Sequence, residues 1–169
     1  VNITRTSLLS AVFATTLVVG SGCELAQPLT GPGLTMGGEL TTDAPGPFTV
    51  STTKLVLKEG DGDAQGLFDE HMDVMNEALK TAPGLVAVSL STTIGGSTSR
   101  TLSVWESEEA MLNWVTSEAH GDAMAALDGR ADPTSSVTSW QLTREELEAA
   151  APTWDDAKAR LDADGREVY

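Results

Sequence analysis

Residues 101–127 read TLSVWESEEAMLNWVTSEAHGDAMAAL, and the fold turns on this stretch. Thr101–Trp105 alternates with the period of a strand, so Leu102 and Val104 share one face and Thr101, Ser103 and Trp105 the other. A turn follows, and the spacing then becomes that of a helix. Ser107 is placed to start it, and Glu108 and Glu109 suit the positive end of its dipole. Ala110, Met111, Trp114 and Val115 form its apolar stripe. Thr116-Ser117 breaks the phase, and a second segment from Glu118 carries His120, Ala123, Met124 and Leu127 on one face. Trp105, Trp114 and His120 thus stand where they could wall a pocket.

Working upstream, Arg100–Trp105 pairs naturally with Leu85–Thr92 (LVAVSLST) through a hairpin in which Gly95-Gly96 supplies the positive φ. Before that, Ala64–Ala82 is an amphipathic helix. Leu67, Phe68, His71, Met72, Met75, Ala78, Leu79 and Ala82 fall within one stripe, and Asp69, Glu70, Asp73, Glu77 and Lys80 lie opposite. Pro83-Gly84 ends the helix. The run EGDGD at 59–63 reads as a turn with Asp63 as the helix cap, since it lacks the later ligands of a calcium loop. Phe48–Leu57 (FTVSTTKLVL), dense in β-branched residues, is the first strand.

Downstream, 128–133 is a loop and Ser136–Leu142 (SVTSWQL) a fourth strand. Residues 144–169 hold two helical pieces broken at Pro152, with Leu147, Trp154, Ala157 and Leu161 able to dock and an end after Asp162 expected to fray. The order β-α-β-β-α-β is the α+β, ferredoxin-like arrangement: an antiparallel sheet with two helices on one face. Such a layout leaves the second sheet face apolar and bare, so a homodimer through sheet faces is expected.

Composition narrows the partners. The net charge is −15, with 25 acidic residues against 10 basic, which excludes the clustered positive field that nucleic acid requires. One cysteine and two histidines give no disulfide framework and no metal cage, so no metal site is expected.

The lone Cys23 closes a segment with signal-peptide anatomy: Arg5, an apolar core LLSAVFATTLVV at 8–19, and small residues 20–22. This core is too short to span a bilayer as a mature helix. The segment resembles a bacterial lipoprotein signal, which implies cleavage before Cys23, lipidation of its sulfur, export, and attachment to a membrane. On this reading residues 1–22 are the signal and 23–47, rich in Gly, Pro and Thr, a flexible tether. Residues 48–143 form the domain and 144–169 a helical tail.

VWESEEAMLNW at 104–114, followed by SEAHGDAM at 117–124, resembles the antibiotic-biosynthesis-monooxygenase type of dimeric α+β barrel, closest to its spheroidene-monooxygenase-like members. The resemblance implies a pocket between sheet and helices within each subunit, and a dimer made by the other sheet faces. Members include cofactor-independent oxygenases, haem-degrading enzymes, haem-binding hydroxylases and proteins with no demonstrated reaction. The haem-degrading pattern places an asparagine on the first strand, a tryptophan on the second helix and a histidine ten residues later. Trp114 supplies the tryptophan, but Thr53 and Met124 stand at the other two positions. Haem degradation is therefore not expected. No cofactor is called for, and haem stays open only as a ligand.

Two functions fit these residues. One is a monooxygenase-like enzyme acting on a small apolar or aromatic molecule, with His120, Trp114 and His71 as catalytic candidates. Trp105, Met124, Met75 and Phe68 would line its pocket. The other is a non-catalytic small-ligand binder or scaffold held at the envelope.

Overall fold

A computed structural model of the chain describes residues 24–94 and 98–168. The signal segment, Cys23 and the Gly95-Gly96 turn lie outside the described residues. Six strands appear in the described chain: β1 (Glu24–Ala26), β2 (Phe48–Val56), β3 (Leu85–Thr93), β4 (Thr98–Trp105), β5 (Ser136–Leu142) and β6 (Arg166–Glu167). The helices are α1 (Gly62–Lys80), α2 (Glu108–Val115), α3 (Glu118–Leu127), α4 (Arg144–Ala149) and α5 (Trp154–Asp164). The strands form one antiparallel sheet in the order β1-β3-β4-β2-β5-β6. Its inner four strands, with α1 after β2 and the α2–α3 pair after β4, make the expected ferredoxin-like βαββαβ unit.

Register divides the side chains cleanly. Val50 lies opposite Val104 on β4 and Trp140 on β5, so Phe48, Val50, Leu102, Val104, Trp140 and Leu142 point one way. Thr49, Ser51, Ser103, Trp105, Val88 and Leu90 point the other way, toward α1, α2 and α3.

Local chemistry fixes the ends of the elements. Asp61, and not Asp63, caps α1: its carboxylate accepts from the backbone N–H of Asp63 and Ala64 at 3.2 and 3.1 Å. The helix starts at Gly62, which places Asp63 inside the first turn. Arg130 holds the same carboxylate with two bonds of 2.7 and 2.8 Å, tying the loop after α3 to the start of α1. Gly84 turns the chain from α1 into β3 at φ +75°, and a Cβ there would sit 2.6 Å from the Ala110 side chain, so only glycine lets α2 pack over this turn.

Residues 24–47 do not behave as the expected tether. Gln27 N–H donates to Leu90 O at 2.8 Å and Gly33 N–H to Val86 O at 2.9 Å, so this arm runs along β3, which would otherwise be an open edge. A Cβ on Gly31 would lie 2.5 Å from the Val86 carbonyl oxygen. The glycines that read as flexibility in the sequence are here what allows backbone to lie on backbone. Leu34 enters the core at 1% exposure.

The C-terminal segment is likewise part of the fold. Leu147 of α4 and Ala157 of α5 are buried with Phe48, Val50, Leu102 and Val104, and Trp154 packs against the same cluster. The sheet face expected to be bare is therefore covered from within the chain, which removes the ground on which a face-to-face homodimer was expected. Beyond Asp162 the chain does not end in a frayed helix but returns to pair Arg166 and Glu167 with Val137 and Ser136.

Candidate functional site

The helical face of the sheet brings together three of the residues singled out in the sequence. Trp105 ends β4 at 1% exposure, and its indole Nε1–H donates to Ser103 Oγ at 2.9 Å. Trp114 of α2 stacks on it with ring centroids 6.3 Å apart and planes 24° apart. His120 of α3 meets the other side of Trp114 edge-on, at 5.9 Å and 70°. The result is an aromatic ladder running from the sheet outward.

The break between α2 and α3 makes the ladder. Six positions along an unbroken helix correspond to a rotation of about 240° at roughly 100° per residue, which would place Trp114 and His120 on different faces. Instead α2 stops at Val115, and Ser117 restarts the chain by accepting from the His120 backbone N–H at 3.4 Å. Ser107 caps α2 through the Ala110 N–H at 3.1 Å. Leu79, Leu85 and Met111 seal the base of the ladder, with Ala82, Val88 and Ala110 around them.

His120 is partly buried, and its Nδ1 has no hydrogen-bond partner among the described residues. Burial pushes its pKa below the usual imidazole value, opposed in part by the backbone of Val115. A neutral imidazole beside an aromatic ring can accept a proton.

Next to the ladder an open cleft of about 430 Å³ separates the end of α1 from the α2–α3 junction. Trp114 walls it, Ala78 and Ala82 supply an apolar floor, and Thr81, Asn113 and Glu118 bring polar groups to its rim. Trp114 is the only residue expected in the site that lines this cleft. His120 touches it through Trp114. His71 and Met75 are partly buried along α1, and Met124 partly buried on α3; none of the three lines the cleft. Phe68 packs elsewhere, against Leu57, Ala64 and Leu127 near the start of α1. The stripe on α1 thus serves two separate clusters, and helical periodicity alone cannot say which residues of one stripe share a cavity. Asn113, Thr81 and Glu118 carried no signal beyond polarity. Only the adjacency of Asn113 to Trp114 could have drawn attention to it.

The cleft lining contains no imidazole, thiolate or thioether, so as built it offers no usual axial ligand to a haem iron. Among the described residues there is also no group of three or more His, Cys, Asp or Glu side chains able to hold a metal ion. No helix among the described residues is long and apolar enough to cross a membrane.

Fold and site together define a ferredoxin-like α+β domain with a cleft walled by Trp114 between the end of α1 and the α2–α3 junction. Residues 55–126 match the family model for antibiotic biosynthesis monooxygenase. Comparison with curated proteins finds no match. Among solved structures, similarity extends to a candidate monooxygenase from Lactobacillus acidophilus at 21% identity and TM-score 0.46, over 60% of this chain and 47% of that one. A second candidate monooxygenase, from Fusobacterium nucleatum, matches at 14% identity and TM-score 0.47, over 57% of this chain and 42% of that one. This chain thus spans less than half the length of either. SnoaB, a cofactor-independent oxygenase from Streptomyces nogalater, matches at 11% identity and TM-score 0.43, over 59% of this chain and 96% of that one.

Proposed function

We propose that this protein binds a small apolar or aromatic molecule in the cleft beside Trp114 and acts on it as a monooxygenase-like enzyme without an organic cofactor or metal. The observation that carries this reading is the Trp105–Trp114–His120 ladder, which sets a partly buried imidazole with an unpartnered Nδ1 against an aromatic wall at the edge of a cavity. The match to the monooxygenase family over residues 55–126 supports the same class. His120 would take the proton from an activated carbon or phenol of the substrate, leaving an electron-rich anion for molecular oxygen. For an anthrone-type substrate the change balances as CH₂ plus O₂ giving C=O plus H₂O. Proton transfer by a positioned base contributes about 10²–10⁴-fold. The test is oxygen uptake with a panel of anthrones and hydroquinones. The wild type is expected to consume oxygen and His120→Ala to lose about 10²-fold or more; equal rates in both would end the catalytic role of His120.

A second reading, binding without turnover, is favoured by one specific observation: His120 is not itself a lining residue of the cleft. Under it, ligands quench Trp114 fluorescence but no oxygen is consumed. Mass spectrometry of whatever copurifies with the protein identifies the ligand in either case.

The location belongs to this proposal as well. The sequence before Glu24 supports an exported lipoprotein anchored through Cys23. Because Glu24 is already fastened to the sheet, such an anchor would hold the domain close to the membrane surface with no slack between them. Labelling with radioactive palmitate that is abolished by Cys23→Ser is the expected result. Unlabelled wild-type protein in the soluble fraction would refute the anchor.

A further inference from the structure

We infer that the two ends of this chain stand in for a second subunit, so that the domain works as a monomer with a complete cleft in each chain. The sheet face opposite α1–α3 is the one left bare by a plain βαββαβ unit, and such an apolar face calls for a second copy to cover it. Here it carries its own cover. Phe48, Val50, Ala87, Leu102 and Val104 are exposed by no more than 1% within a single chain, and Leu34, Leu147 and Ala157 from the two ends reach the same depth.

The cover is fastened by polar contacts of fixed geometry, which separates it from a loosely lying tail. Trp154 Nε1–H of α5 donates to Ser89 Oγ at 3.0 Å, and that hydroxyl donates to the Gln27 carbonyl of the arm at 2.6 Å. One serine on β3 therefore joins both ends of the chain. Glu24 repeats the arrangement with charge: its carboxylate accepts from Arg100 on β4 at 2.6 Å, from Ser91 on β3 at 2.6 Å and from Lys158 on α5 at 2.5 Å. At the opposite end of the sheet Arg144, which opens α4, donates to the carbonyls of Ala44 and Thr42 at 2.6 and 3.0 Å. Arg160 lies over the Trp140 ring at 5.6 Å. The two hydrogen-bonded ties from α5, to Ser89 and to Glu24, join partners 65 and 134 residues apart in sequence. A second copy could reach the face only after all of them had broken.

The consequence for the cleft is direct. Its lining residues come from α1, α2 and the start of α3 of one chain, so ligand binding is expected to be non-cooperative and independent of protein concentration.

The experiment is sedimentation velocity on residues 24–169 from about 1 to 100 μM, combined with hydrogen exchange across α5. The expected result is the mass of one chain throughout, with α5 amides protected to the same degree at both ends of the range. A two-chain mass at any of these concentrations would overturn the inference, as would α5 amides that exchange at the rate of an unstructured peptide. A double variant, Trp154→Asp with Leu161→Asp, dislodges α5. It is expected to raise the two-chain fraction as the apolar face is uncovered. Should this variant fail to fold, the wild-type mass and exchange still decide the matter.

Discussion

On the capped side of the sheet Phe48, Val50, Ala87, Leu102 and Val104 are shut off from water, with Trp140 and Leu142 partly exposed beside them. On the helical side, by contrast, only Thr49, Leu85, Ser103 and Trp105 are buried, and Ser51, Thr53, Leu55, Val88, Leu90 and Thr101 stay partly exposed. The two sides have the same backbone between them and the same pleat, so the difference lies in what covers them. α4, α5 and the arm approach the capped side closely, and hydrogen bonds from both ends hold them there. α1–α3 stand over the other side through a few large residues, Trp105, Met111 and Trp114 among them, and leave a cleft. One side therefore serves cohesion, the other carries the cleft to which binding is proposed, and each substitution below tests that division.

The largest effects are expected from truncating the anchors themselves. Trp105→Ala should cost about 3–5 kcal/mol of unfolding free energy and Leu147→Ala about 2–5 kcal/mol, measured by denaturant titration. Trp105 belongs to both core and ladder, so its loss should also abolish ligand quenching of Trp114, while Leu147→Ala should leave the quenching intact in the folded fraction. Loss of binding in the Leu147 variant would break the division between the faces. Gly84→Ala comes next, at about 2 kcal/mol or more, because it forces an unfavourable φ and a contact with Ala110 at once.

Acid sharpens the contrast on the capped side. Burial alone would raise the Glu24 pKa, but hydrogen bonds from Lys158 and Ser91 and the charges of Arg100 and Lys158 outweigh it and hold the group at about 2. A carboxyl depressed in the folded state stabilises fully above its unfolded value, here 4.5, and the contribution disappears as the pH falls toward about 2. Between pH 5 and 3 the wild type should therefore lose more stability than Glu24→Gln, by about 1–3 kcal/mol. Equal losses would remove Glu24 from the account. His120 has the opposite chemical type but the same direction in pH. Its pKa is lowered by burial, so its neutral form is retained below the usual imidazole value, and stability falls once the unfolded chain begins to take up the proton near pH 6.5.

On the helical side Trp114→Ala is expected to weaken ligand binding about tenfold while lowering stability less than Trp105→Ala, because Trp114 is only partly buried. The smallest effect belongs to the exposed Lys80–Glu77 pair on α1, where Lys80→Ala should change stability by no more than about 0.5 kcal/mol and leave both faces as they are.

Much of this could be read without coordinates. The alternation in 101–105, the restart at Thr116-Ser117 and the stop at Pro83-Gly84 are local signals, and β5 (Ser136–Leu142) matches its reading residue for residue. The order of elements along the chain followed from the alternation of strands and helices. The aromatic ladder was legible in part, since Trp105, Trp114 and His120 lie within one contiguous stretch. The membership of the cleft was not: His71, Met75, Phe68 and Met124 share helix faces with site residues, yet a face is longer than a cavity, and the crossing of α1 over α2 and α3 decides which turn meets it.

The sequence by itself determined the βαββαβ order, the two faces of each strand and the kink between α2 and α3, because these depend on neighbours a few residues away. Only the tertiary structure decided what lies on the second face of the sheet. Residues 24–47 carry no period, and their contacts to β3 and α5 are set by partners 62 and 134 residues away, at Ser89 and Lys158. Pairing at that range leaves no trace in local composition, where glycine, proline and threonine look the same in a loose linker and in a strand laid flush against a sheet edge.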